Sequence, residues 1–372
     1  MGEDMVRQMR KALEVLEMTD NQYIVRILQL CESDDKLFIV MELTRYGQLD
    51  NFFCSDDRHE ELSDRVNALI LKQLFSALNY LHNTKNIMHR NIKPENILVS
   101  DFDFAKGEVD IKLTGFGYAC QSRGSSINEG TPSFKAPEVI LGQECDNKVD
   151  IWSAGCIAYY LYSECECPFG EEEGEDAKTK EEIEDAIKNE EPDYEYFSDS
   201  FPAAVAFIKK CLNKNPALRP SANECLNDPF LKGAHQAEAT PNKKKEVSRK
   251  MIGLKQQSMF QRQISAFISN TIMATSEMRE IKRVFREIDS DGNGTIDLEE
   301  LRIGLPKLSD VVAEITEDTV AEIFNNMDMN KDGQVSESEF LSSCCTISEE
   351  HLRKAFVALD TGKNGYIDKE EL

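Results

Sequence analysis

The stretch Met88-His89-Arg90-Asn91-Ile92-Lys93-Pro94-Glu95-Asn96-Ile97-Leu98 decides how the rest of the chain is read. It follows the loop template H-R-D-L-x-x-x-N at His89, Arg90 and Asn96, with Lys93 between them. It departs where the template carries an acid. Asn91 puts a neutral amide where a carboxylate would accept a proton.

Working outward, further signatures follow in a fixed order. Ile111-Lys112-Leu113-Thr114-Gly115-Phe116-Gly117 reads as a strand running into D-F-G, with Gly115 in place of the Asp. Ala136-Pro137-Glu138 matches A-P-E, and Asp150-Ile151-Trp152-Ser153-Ala154-Gly155 matches D-x-W-S-x-G. Upstream, Met5, Met9, Leu13 and Leu16 predict a helix over residues 3–18. Two strands are expected at Ile24–Leu30 and Lys36–Leu43, parted by the turn Glu32–Asp35. A helix is expected from Leu62 to Leu81.

These motifs give residues 1–233 the look of a Ser/Thr protein-kinase domain, mainly its helical lobe. The resemblance implies that Arg219 pairs with Glu138. It also implies the parts that phosphoryl transfer needs: a Gly-rich loop, a strand lysine paired with a helix glutamate, two metal-holding side chains and a carboxylate base. The chain has no G-x-G-x-x-G and begins at what resembles the glutamate-bearing helix, where Ala12 stands at the glutamate position. Asn91 replaces the base and Gly115 replaces a metal ligand, while Lys93 and Asn96 are retained. Losing a general base costs typically ~10²–10⁴-fold. Losing a main electrostatic stabiliser costs roughly another 10²–10³-fold. No intact catalytic set remains, and the case for ATP and magnesium is weak.

The last ninety residues carry a different chemistry. Calcium takes oxygens from loop positions 1, 3, 5, 7, 9 and 12, with glycine at position 6 for the turn. Loop one supplies Asp289, Asp291, Asn293, the Thr295 carbonyl, Asp297 and Glu300. Loop two supplies Asp328, Asn330, Asp332, the Gln334 carbonyl, Ser336 and Glu339. Loop three keeps Asp360, Asn364, the Tyr366 carbonyl, Asp368 and Glu371, but Gly362 offers no side-chain oxygen, so weaker binding is expected. Loops one and two are expected to pair, leaving loop three without a partner. Between the two regions lies a basic junction, 234–278, in which Phe260, Ile264, Phe267, Ile268 and Ile272 follow helical spacing. A basic amphipathic helix suits a calmodulin-like groove.

Kinase lobe, junction and EF-hands in that order resemble the calcium-dependent protein kinases. The expected fold is α+β and mainly helical: a kinase-like lobe lacking its first strands (1–233), the junction (234–278) and an all-α EF-hand, calmodulin-like domain (279–372). Both ends are expected to be truncated. A net charge of -25 argues against nucleic acid as a partner. No membrane anchor is evident, since no apolar run reaches the ~18 residues of a spanning helix and Val6 breaks a myristoylation signal. Eleven cysteines without C-x-x-C suggest a reduced, cytoplasmic protein in which Cys165, Cys167, Cys344 and Cys345 are buried thiols.

Two functional readings stay open at this stage. One is a calcium-responsive pseudokinase that acts as a scaffold for an unknown protein partner, with calcium changing how the EF-hands hold the junction helix. The other is an active calcium-dependent Ser/Thr kinase whose sequence is incomplete.

Overall fold

The segment Lys148–Tyr162 is so apolar that Val149 through Tyr162 are all buried, and in the computed structural model it is the central helix of the first half of the chain. The structure describes the chain apart from residues 1–9, 11, 12, 15, 17–19, 33–36, 56–60, 121–130, 173–176, 196, 198, 235–237, 255–263, 266, 270–274, 309–315, 346, 361 and 368–372. Two units separate: Met1–Thr19 with Tyr23–Gln236, and Asp20–Gln22 with Ala237–Leu372.

The first unit begins with the antiparallel hairpin β1 (Ile27–Glu32) and β2 (Leu37–Met41). Expected strand residues Ile24 and Val25 lie outside it for a specific reason. Val25 N–H donates to Leu113 O at 3.0 Å, and Leu113 N–H donates to Tyr23 O at 2.8 Å, so they bridge to another strand. Helix α1 (Asp64–Asn79) starts where Ser63 caps it by accepting from Val66 N–H, and a wider-wound turn, Tyr80–Lys85, continues from its end. The second hairpin, β3 (Ile97–Asp103) and β4 (Glu108–Leu113), packs on α1. Gln73 on α1 stitches the two together, donating to Val109 O at 2.7 Å and accepting from Ile111 N–H at 2.9 Å.

The central helix is α2 (Lys148–Tyr162); α3 (Lys180–Asn189) and α4 (Pro202–Cys211) follow. Arg219 and Glu138 form a buried two-pronged ion pair, at 2.7 and 2.8 Å. The guanidinium also lies over the Trp152 ring, 4.9 Å from its centroid.

The expectation that Cys165 is a buried thiol is corrected. Cys54 and Cys165 form a disulfide, with Cα atoms 6.2 Å apart. A separation of 111 residues hides this pair from any local spacing rule. Cys167, Cys344 and Cys345 stand outside that disulfide, the first two buried and the third half-buried.

Among the described residues the second unit includes helices α5 (Pro241–Ile252), α6 (Thr275–Ile288), α7 (Leu298–Leu308), α8 (Glu317–Met327), α9 (Glu337–Cys344) and α10 (Glu349–Leu359). A two-residue ladder joins β5 (Thr295–Ile296) to β6 (Val335–Ser336). Its core holds Ile281, Val284, Phe285, Ile296, Leu301, Phe324, Val335 and Phe340. Val247 and Met251 of α5 are fully buried in that same core. Of the expected Phe260–Ile272 helix, Ile264, Phe267 and Ile268 are helical and Ile268 is buried, while Phe260 and Ile272 lie outside the described residues. No described helix is long and apolar enough to cross a membrane.

Candidate functional site

In the first unit the loop His89–Asn96 is held from below by α2. Asp150, fully buried, accepts from His89 N–H at 2.8 Å and Arg90 N–H at 2.7 Å, and lies 2.8 Å from the His82 ring. Burial alone would raise the Asp150 pKa. The His82 hydrogen bond and the neighbouring donors outweigh it and hold the carboxyl below its usual value. Burial likewise pushes the His89 pKa down, so the neutral ring donates from Nε2 to Thr114 O at 2.8 Å. Arg90 takes a left-handed backbone (φ 61°), and its Nε donates to Tyr118 O at 2.7 Å.

Asn91, Lys93, Asn96 and Gly115 come together above this support. Lys93 Nζ reaches Glu95 at 3.1 Å and Thr131 Oγ1 at 3.2 Å. Asn96 Nδ2 donates to Asn91 O at 2.7 Å, and Asn91 Nδ2 donates to Gly115 O at 3.4 Å. Gly115 itself has φ 84°. A Cβ placed on it would fall 2.3, 2.4 and 2.5 Å from Asn96 Cγ, Oδ1 and Nδ2. The Asn96 amide thus fills the space into which a side chain at 115 would project. Ala12 lies outside the described residues, and the helical Glu14 is exposed.

In the second unit, position-6 glycines Gly294 (φ 87°), Gly333 (φ 85°) and Gly365 (φ 82°) turn the three loops in the left-handed region where L-residues are strained. In loop one, Asp289 accepts from Asn293 N–H at 3.1 Å and Gly294 N–H at 3.0 Å. Asp291 accepts from Asn293 N–H at 2.9 Å, and Asn293 Oδ1 accepts from Thr295 N–H at 2.8 Å. Glu300 folds back to accept from Ser290, Asp291 and Asp297 N–H groups at 2.9, 3.1 and 3.1 Å. Oxygens of Asp289, Asp291 and Glu300 lie within 4.8 Å of one another. Burial, with Glu300 and Asp291 alongside, raises the Asp289 pKa well above the usual carboxylate value, and burial raises that of Glu300.

Loop two repeats the pattern. Asp328 Oδ2 accepts from Gly333 N–H at 3.0 Å, and Asn330 and Asp332 face each other at 3.1 Å. Glu339 accepts from Met329 N–H at 2.8 Å and Ser336 N–H at 3.0 Å. Asp328 Oδ1 is buried and receives no hydrogen bond from any described residue. An orphaned buried carboxylate oxygen inside an all-oxygen donor set fits a hard divalent cation such as calcium. In loop three, Asp360 accepts from Asn364 and Gly365 N–H groups, both at 2.9 Å. Tyr366 is exposed, and Asp368 and Glu371 lie outside the described residues.

Sequence reasoning missed three contributors. His82 could have been suspected, since a histidine ends the helix feeding the loop. The contact of Lys93 with Thr131, and that between the Thr295 and Gln334 side chains, left no signal in the spacing.

Comparisons with known proteins agree with this division. A protein kinase domain model matches residues 2–231, an EF-hand domain pair matches 278–345 and an EF hand matches 352–372. The chain is 30% identical over 376 residues to calcium-dependent protein kinase 33 of Arabidopsis thaliana, covering 98% of this chain and 68% of the relative. It is 29% identical over 380 residues to calcium-dependent protein kinase 4 of Plasmodium falciparum (isolate 3D7), covering 97% and 70%. With calcium-dependent protein kinase 14 of Arabidopsis thaliana it shares 30% identity over 381 residues, covering 99% and 67%.

Proposed function

Since this chain belongs to the calcium-dependent protein kinase family, we propose that it is a calcium-responsive pseudokinase, a regulatory protein whose output is binding and not phosphoryl transfer. The observation that carries this reading is the Asn96 amide, tied to Asn91 O and lying where a side chain at Gly115 would project. Two carboxylates are replaced there, Asn91 at the base position and Gly115 at the metal position, and the one retained ligand-type residue is turned into the gap. That set does not fit magnesium. It offers a single neutral side-chain oxygen, Asn96 Oδ1, where magnesium is ordinarily held through carboxylates. The support that Asp150, His82 and His89 give the loop is kept, which suits a lobe maintained as a binding scaffold.

The calcium arm rests on the second unit. Asp289, Asp291, Asn293, Asp297 and Glu300, with the Thr295 carbonyl, would hold one ion. Asp328, Asn330, Asp332, Ser336 and Glu339, with the Gln334 carbonyl, would hold another. By sequence alone, Asp360, Asn364, Asp368 and Glu371, with the Tyr366 carbonyl, would supply the weaker third. Bound calcium would supply positive charge to Asp289 and Glu300, whose carboxyls burial pushes above their usual pKa. The segment poised to respond is α5. Besides burying Val247 and Met251, it places Lys244 2.7 Å from Glu287 and Lys250 Nζ 2.8 Å from Cys344 O.

Hydrogen exchange of the α5 amides, measured with calcium and with chelator, tests the proposal. Calcium-dependent protection at Pro241–Ile252 is the expected result. Identical exchange in the two conditions would leave the protein a calcium binder without a response.

A further inference from the structure

The two paired calcium loops touch through side chains as well as backbone. Register aligns Thr295 with Ser336 and Ile296 with Val335. Thr295 Oγ1 lies 2.7 Å from Asn293 Oδ1 and 3.1 Å from Gln334 Oε1. Thr295 is 3% exposed, so water does not readily replace these partners. A hydroxyl has one proton, and at the shorter distance it belongs to Asn293. Turning the Gln334 amide through 180° presents its NH₂ to the remaining lone pairs of Oγ1, so that the hydroxyl both donates and accepts.

The result is a directed chain: Gln334 N–H to Thr295 Oγ1, and Thr295 O–H to Asn293 Oδ1. Its ends are unlike. Gln334 belongs to position 7 of loop two, whose backbone carbonyl is a ligand candidate. Asn293 is a ligand candidate in loop one through the same oxygen that accepts the hydroxyl. No matching chain runs the other way, because glutamine at position 7 of loop two has no hydroxyl. There the corresponding oxygen, Asp332 Oδ1, accepts the Gln334 backbone N–H at 3.0 Å.

We infer that Thr295 and Gln334 are positioning residues that couple the two loops, so that ordering loop two around its ion orients the Asn293 oxygen of loop one. This rests on the calcium reading given above. The backbone carbonyls at both positions would remain in place in side-chain variants, so coupling can be removed without removing a ligand. Hydrogen bonds in one chain lose their value together, which makes the two residues non-additive.

The experiment is calcium titration by calorimetry of the full chain, in an Asp360→Ala background that silences the third loop. The parent is compared with Thr295→Val, Gln334→Leu, the double variant and Thr295→Ser. Thr295→Val keeps the β-branched shape, and Thr295→Ser keeps the hydroxyl. In the parent, the second ion is expected to bind more tightly than independent sites allow. Each of Thr295→Val and Gln334→Leu should cut that enhancement about fivefold or more, a typical coupling factor. The double variant should be no worse than either single one, and Thr295→Ser should match the parent. A parent that binds calcium while Thr295→Val and Gln334→Leu keep its full enhancement, or variants whose losses add, would overturn the coupling alone. A parent that takes up no calcium would overturn the calcium reading and the coupling with it.

Discussion

Restoring an aspartate at position 115 is expected to destabilise the first unit without restoring a metal site. Two costs follow from the geometry. Gly115 has φ 84°, and an L-residue in the left-handed region costs about 1–2 kcal/mol. A new Cβ would also meet Asn96 atoms at 2.3–2.5 Å, closer than any real contact, so the amide must leave. Leaving breaks its 2.7 Å hydrogen bond to Asn91 O, worth roughly 0.5–1.5 kcal/mol. Gly115→Asp should therefore lose about 2–3 kcal/mol in denaturant unfolding followed by Trp152 fluorescence, the single tryptophan lying in the first-unit core. Asn96→Ala relieves the clash, so the double variant should be less destabilised than the two single losses summed. Gly115→Asp within about 0.5 kcal/mol of the parent, or strict additivity with Asn96→Ala, would refute the view that Asn96 fills this space.

Three further expectations concern the ion pair, acid and calcium. Arg219→Leu strands the buried Glu138 carboxylate and should cost about 3–5 kcal/mol, most of it recovered on adding Glu138→Leu; equal losses in single and double variants would contradict this. The first unit should lose stability as pH falls through about 6.5, because unfolded His89 takes a proton that its buried ring resists. A second loss should follow below about 3.9, where unfolded Asp150 protonates before the folded carboxylate, whose pKa is lowered, does. A thermal midpoint flat from pH 7 to pH 3 would argue against both steps. Calcium at 100-fold excess over its dissociation constant should stabilise the second unit by about 2.7 kcal/mol per site. Chelator should reverse the gain and Asp328→Ala should lessen it, as calorimetric unfolding would report.

Residues whose side-chain type carries the chemistry were readable before any coordinates. Asn91 and Gly115 declare the loss of carboxylates, and the D-x-D-x-N-G pattern from Asp289 declares an oxygen cage. Features that depend on where a chain segment goes were not. Asn96 reads as a retained metal ligand because its identity is kept; only the left-handed Gly115, lacking a Cβ, lets the amide turn into the gap. Ile24 has a strand-like sequence, yet its neighbours bond to Leu113 and leave the hairpin to start at Ile27. Cys54 and Cys165 meet because the fold brings the turn after α2 to the Asn51–Ser55 turn, a closure no spacing rule encodes. Val247 and Met251 give little signal among the lysines of the basic junction, whereas Phe260–Ile272 offers the richer apolar period.

The central claim, a calcium-responsive lobe that transfers no phosphate, is tested most directly by incubating the full chain with radiolabelled ATP, magnesium and calcium beside a basic protein substrate. Label at the level of a heat-inactivated control, with and without calcium, is the expected result. Calcium-stimulated transfer that disappears on Lys93→Ala or Asn96→Ala would contradict it.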